Sequence, residues 1–254
     1  MTYCLAMRLD EGLVFLADTR TNAGVDNIGS YRKLHAFYPG PDRIFVLESA
    51  GNLATTQEVL DRIQRDLVAP PEHVTLATAE HLFEAALYVG TVSVNVAAAH
   101  RPALGAVDGT STFILGGQIA GQPPDIFLIY PEGNYIRASE ERPFLQIGES
   151  KYGKFMLELA VQAEVGLDQA AKIALSSMIS TAHANLSVGP PYDLAILRPD
   201  RFALDEVRIA PESPMLAELT QMWRRHLLDG VAQLPDLHPG VDDVVVADDG
   251  AVGA

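Results

Sequence analysis

Two kinds of periodicity follow one another along this chain, and their order leaves few architectures open. "TYCLAMRL" and "LVFLAD" are apolar runs split by "DEG", which reads as a hairpin with Gly12 where a positive φ is needed. "KLHAF" and "RIFVLES" form a second strand pair through "YPGPD", so four strands precede any helix. From Thr55 the spacing turns helical: Val59, Leu60, Ile63 and Leu67 share a face, and "APPE" stops the helix. A longer helix, from about Leu76 to Ala99, is apolar over most of its circumference, with charge confined to Glu80, His81 and Glu84, as in a helix buried between layers. Strand character returns in "STFILGGQI" and "DIFLIYPEGNYI". Helices over Tyr152 to Glu164 and Gln169 to Ala182 and a buried strand "DLAIL" follow.

Strands, two helices, strands, two helices and a strand is the order expected of two sheets held between two helical layers, an α+β fold. A parallel doubly wound sheet would alternate strand and helix throughout. A further helix over Ser213 to Leu228 closes a single domain spanning 2–228. The remainder, 229–254, is rich in Asp, Gly and Pro and reads as a mobile acidic tail in which only "VVVA" has strand character.

At 254 residues and 48% hydrophobic composition the chain fills a substantial core. The net charge of -15 argues against nucleic-acid backbones and anionic membrane surfaces as partners. No run of eighteen uncharged apolar residues appears and the start lacks a signal-peptide pattern, so a cytoplasmic protein is expected. The lone cysteine, Cys4, has no disulfide partner within the chain and reads as strand core. There is no GxSxG elbow, no HExxH, no phosphate-cradling loop and no GxGxxG, and the histidines are scattered without ligand spacing. Neither a metal nor an organic cofactor is expected.

What remains is the residue behind the initiator. Removal of Met1 makes Thr2 the first residue and places a hydroxyl and a free α-amine on it. A threonine hydroxyl needs a base within reach, and an α-amine with a reference pKa of about 7.7–8.0 can act as one near neutrality. Asp18 ends the second strand, across the hairpin from Thr2, where its carboxylate can hold a cation. Lys33 is the candidate cation: an ammonium near the α-amine favours the neutral, proton-accepting form.

Taken together, the N-terminal Thr, "ADTR", the following Lys, "SAGN" entering the first helix and "IGESKYGK" entering the third resemble the β-type subunits of proteasomes and their bacterial relatives, over roughly Thr2 to Leu197. "TYCLAMRLDEGLVFLADTRTNAGVDNI", "NLATTQEVLDRI" and "NLSVGPPYDL" are most similar to the bacterial Anbu, or ancestral beta subunit, group. The resemblance implies a four-layer αββα sandwich of the N-terminal nucleophile hydrolase type and self-assembly into rings or open helical rings. It implies Thr2 as nucleophile, Asp18 and Lys33 as its supporting pair, and Gly51 as the backbone N–H of an oxyanion hole. Arg20, Ser49 and Glu149 fall at pocket positions, and Ser150 stands next to Glu149 where the family pattern has a serine near the threonine amine. The pattern also has an aspartate near the end of the fourth helix, where 176–187 of this chain carry no acid.

The leading expectation is an N-terminal threonine hydrolase acting on peptide or amide bonds of a peptide or protein substrate. A non-proteolytic amidase on a small or modified substrate and a weakly active or inactive assembly scaffold stay open beside it. So does an ATP-dependent or operon-encoded partner.

Overall fold

In the computed structural model, which describes residues 2–22, 28–69 and 72–235, β1 (Tyr3–Leu9) and β2 (Gly12–Asp18) form the expected hairpin with Cys4 opposite Ala17. Gly12 has φ +138°, and a Cβ there would run into the Leu197 carbonyl, so both angle and space demand glycine. β3 (Arg20–Asn22) and β4 (Ile28–Ser30) make a small separate ladder. β5 (Leu34–Gly40) and β6 (Arg43–Gly51) are the second expected pair. Then come α1 (Leu53–Val68), α2 (Leu82–Leu104), β7 (Ser111–Ile119), β8 (Asp125–Ile129), β9 (Tyr135–Arg137), β10 (Phe144–Gly148), α3 (Lys151–Ala160), α4 (Leu167–Ala184), β11 (Tyr192–Leu197), β12 (Leu204–Ile209) and α5 (Pro214–Ala232). The described residues thus form an α+β fold with five helices and three sheets, and every ladder is antiparallel.

One five-stranded sheet runs β10-β1-β2-β11-β12 and the other β5-β6-β7-β8-β9. β1 shows how they are packed. Its alternate residues Cys4 and Ala6 join a core with Ile44, Val46, Ala50, Ile114 and Ile126 of the other sheet. Phe15 of β2 sits in the same core, its ring in the space a Cβ on Gly116 would need. Tyr3, Leu5 and Met7 point the other way, into a core with Leu157 of α3, Ala170, Ala174 and Met178 of α4, and Leu216 of α5. A third core joins Phe45, Leu47, Phe113 and Leu115 to Val59 and Ile63 of α1 and Ala85, Val89 and Val96 of α2. Both faces of the central strands are buried, which is why they read as continuous apolar runs rather than alternating ones. Each fully buried large side chain contributes about 1.5–3 kcal/mol.

Several boundaries differ from the sequence reading. α2 starts at Leu82, not near Leu76, because the preceding residues turn on themselves: Thr75 N–H donates to Thr78 Oγ1 at 2.9 Å. Glu84 then reaches back to accept from Glu80 and His81 N–H at 2.8 and 3.0 Å, the N-terminal cap. α2 is long and apolar enough to cross a membrane by composition, but half of that stretch is buried against the protein. "DIFLIYPEGNYI" is two strands, broken by a turn in which Tyr130 N–H donates to Asn134 O at 2.8 Å and Gly133 takes φ +86°. α3 ends at Ala160, short of Glu164, since the next residues fold back and Asp10 N–H donates to Ala163 O at 2.8 Å. β10 and β12 carry no strand signal of their own: one has five residues, and the other is an edge strand whose Asp205, Glu206, Val207 and Arg208 are exposed. α5 runs on to Ala232, past the expected start of the tail. "VVVA" lies outside the described residues.

Candidate active site

The head of β1 gathers most of the expected residues. The hairpin register that sets Cys4 against Ala17 brings Asp18 beside the next backbone amide, and Tyr3 N–H donates to Asp18 Oδ1 at 3.0 Å. Lys33, just before β5, is 4% exposed and donates from Nζ to the same oxygen at 2.6 Å and to Arg20 O at 2.7 Å. Gly189 N–H donates to Asp18 Oδ2 at 3.3 Å. Asp18 is completely buried, so desolvation pushes its pKa above the ordinary value, while the Lys33 ammonium and the two N–H bonds pull it back. The result is a lysine side chain fixed by a buried counter-ion at the head of β1.

Thr2 is half-buried, and its carbonyl accepts Glu149 N–H at 2.7 Å. That approach depends on Gly148, whose φ is +80° and whose absent Cβ would collide with the Thr2 carbonyl. It follows from the pairing of β10 with β1, Gly148 opposite Tyr3. Glu149 Oε2 accepts from Asn185 Nδ2 at 2.8 Å. Ser150 is the N-cap residue just before α3; its N–H donates to Gly148 O at 3.0 Å and its carbonyl accepts from Gln146 Nε2 at 3.3 Å. Tyr3, which follows Thr2, is anchored from the other side: its Oη shares hydrogen bonds with Ser177 Oγ at 2.7 Å and Gln146 Nε2 at 2.5 Å, and burial pushes its pKa up to about 12.

Arg20, expected in the pocket, hands its guanidinium to the turn after α4, donating to Leu186 O at 2.8 Å and Val188 O at 3.4 Å. It occupies the room a Cβ on Gly189 would take and so braces the amide that reaches Asp18. Ser49 is buried; its N–H donates to Lys33 O at 3.1 Å and its carbonyl accepts the Cys4 thiol at 3.8 Å. Burial pushes the Cys4 thiol well above its usual pKa, the state of an inert core thiol. Gly51 closes β6 with φ +120°, and a Cβ there would stand 2.5 Å from Thr110 O and 2.8 Å from Ser111 Cα. Gly51→Ala is expected to cost about 1–3 kcal/mol from the backbone angle and the clash, measured by denaturant unfolding. An unchanged midpoint would contradict this.

The sequence reading passed over Asn185, Gly189, Gly148 and the Tyr3–Gln146–Ser177 cluster. Their roles come from distant strand and helix contacts that leave no local pattern. Among the described residues no group of three or more His, Cys, Asp or Glu side chains is disposed to hold a metal ion.

No protein-family model and no curated protein sequence matches the chain. Solved structures do. The Anbu (ancestral beta-subunit) protein of Yersinia bercovieri is 42% identical over 93% of this chain and 100% of its own, with a TM-score of 0.86. Anbu from Hyphomicrobium sp. strain MC1 is 43% identical over 93% and 99%, at a TM-score of 0.85. The Pseudomonas aeruginosa Anbu complex, described as a helical assembly, is 38% identical over 94% and 99%, at 0.88.

Proposed function

This chain belongs to the Anbu (ancestral beta-subunit) family of proteasome-β-like proteins, and on that premise we propose that it is an N-terminal threonine hydrolase cleaving peptide or amide bonds. The observation that carries the reading is the buried Lys33–Asp18 pair, with Nζ 2.6 Å from Oδ1 and Oδ1 also accepting from the amide that follows Thr2. A lysine held this way lowers the proton affinity of an α-amine placed near it.

Removal of Met1 exposes the Thr2 amine. The amine takes the Oγ proton as Oγ attacks the substrate carbonyl, and the Gly51 N–H receives the oxyanion. The proton passes from the amine to the leaving amine, which departs and leaves an ester on Thr2. Water, deprotonated by the same amine, then hydrolyses the ester and restores Thr2. Ser150 contributes a hydroxyl beside the site, while Ser49, Glu149 and Arg20 shape the substrate side, Arg20 through the turn it braces.

The αββα reading is supported by the three cores: one joins the two sheets and one joins each sheet to a helix pair. Self-assembly into a ring or open helix is supported by the helical assembly described for the P. aeruginosa relative. It is also supported by α3, where Tyr152, Phe155 and Leu159 are 42%, 73% and 70% exposed along one apolar side of the helix. The proposed setting is cytoplasmic.

The test is turnover of a panel of fluorogenic peptides and small amides by wild type and Thr2→Ala, with assembly size measured on both. Wild type is expected to hydrolyse at least one substrate, and Thr2→Ala to assemble but lose that turnover. Equal turnover by the two proteins would defeat the proposal.

A further inference from the structure

Glu149 brings a second carboxylate to the head of β1, and the reaction above gives its charge no task. Its N–H is bonded to the Thr2 carbonyl at 2.7 Å, so the residue is fixed beside Thr2 by backbone alone. Its carboxylate is also held. Asn185, which ends α4, donates to Oε2 at 2.8 Å. Asn185 is in turn anchored, its N–H donating to Thr181 O at 2.9 Å and its Oδ1 accepting Ser187 N–H at 3.0 Å.

The turn after α4 therefore fixes both acids that flank β1: Asp18 through Gly189 N–H at 3.3 Å and Glu149 through Asn185. They differ in one respect. Asp18 has Lys33 as counter-ion at 2.6 Å, whereas among the described residues no lysine or arginine forms an ion pair with Glu149. Glu149 is thus a positioned anion next to the residue whose amine changes charge, in a chain whose 176–187 stretch offers no acid of its own.

We propose that Glu149, oriented by Asn185, is a positioning residue for the Thr2 α-amine, raising its proton affinity and stabilising the ammonium formed when the amine takes the Oγ proton. It is the counterweight to Lys33, which acts in the opposite sense. The inference rests on Thr2 being the N-terminal nucleophile. The other charged or titratable groups on the surrounding elements include Tyr3 and Cys4 on β1, Asp18 on β2, Arg20 on β3, Lys33 before β5, Lys151, Tyr152 and Lys154 on α3, His183 on α4 and Tyr192 on β11 opposite Asp18, with Glu48 of β6 buried behind them. Asp18 and Lys33 are bonded to each other, and Arg20 is committed to the Leu186 and Val188 carbonyls, so among the described residues Glu149 is the acid beside Thr2 that is not paired with a cation.

The experiment uses the full-length assembled protein with Thr2 as first residue. The α-amine is titrated by its rate of reductive methylation against pH, read by mass spectrometry of the N-terminal peptide. Glu149→Gln is expected to lower the amine pKa by about one unit; Asn185→Ala should give part of that shift, and Glu149→Asp should restore most of the wild-type value. A merely structural Glu149 would change the melting temperature and leave the amine pKa in place. An amine pKa that is unchanged or raised in Glu149→Gln overturns the proposal. Amine titration requires no turnover, so a protein that hydrolyses nothing still decides this point, and the comparison with Thr2→Ala fails separately.

Discussion

Asp18→Ala is expected to lose about 3–5 kcal/mol of stability, the cost of leaving a buried charge without its partner, and to stop Thr2 reacting with a threonine-directed epoxyketone. The substitution strips Lys33, 4% exposed, of its counter-ion and deprives the Tyr3 and Gly189 amides of their acceptor. The lysine then has no fixed position from which to act on the amine. Adding Lys33→Met to Asp18→Ala separates the two effects. The double variant removes the orphan charge and should recover much of the lost stability while remaining unreactive. Denaturant melts and labelling rates on the three proteins check this, and an Asp18→Ala protein that labels at the wild-type rate would refute the role given to the pair.

The second large effect concerns Glu48. Its neighbours at alternate positions of β6, Val46 and Ala50, lie in the core between the two sheets, and Glu48 is fully buried with no hydrogen-bond partner for either oxygen among the described residues. Burial pushes its pKa well above the usual carboxylate range; the Leu16 backbone opposes this from outside hydrogen-bond geometry. The folded protein therefore keeps the acid protonated at pH values where the unfolded chain, with a pKa of about 4.3, has released the proton.

A group whose pKa is raised on folding stabilises fully below the unfolded value, and that stability is lost as pH rises towards the folded value. Glu48→Met fills the site without a titrating group. Relative to wild type it should gain about 1.4 kcal/mol for each pH unit above the unfolded pKa of about 4.3, up to the folded pKa, measured by urea unfolding at several pH values. Parallel pH profiles for the two proteins would mean that Glu48 is already ionised in the folded state.

Asp18 was legible beside the start of β1 because a tight hairpin fixes that relation, whereas Lys33 precedes β5 of the other sheet and reaches Asp18 only through the fold. Gly51 was singled out only through the family resemblance. Glu149 was singled out only as a departure from a family pattern. Its partner Asn185 was not, since their contact needs β10 to pair with β1 and α4 to end beside that strand. Glu48 was not singled out, for a strand buried on both faces gives no alternation from which to read which way a side chain points. The start of α2 was misplaced for a related reason: the apolar character of Leu76 and Ala79 belongs to the core, but their backbone belongs to a turn.

The most direct test of Thr2 as an N-terminal nucleophile is the intact mass of the assembled protein before and after exposure to a peptide epoxyketone, with the adduct located by peptide mapping. The expected result is a chain lacking Met1 that gains one adduct on Thr2, and no adduct on Thr2→Ala. A chain that keeps Met1 in the assembled state, or one that labels equally well without the Thr2 hydroxyl, would contradict it.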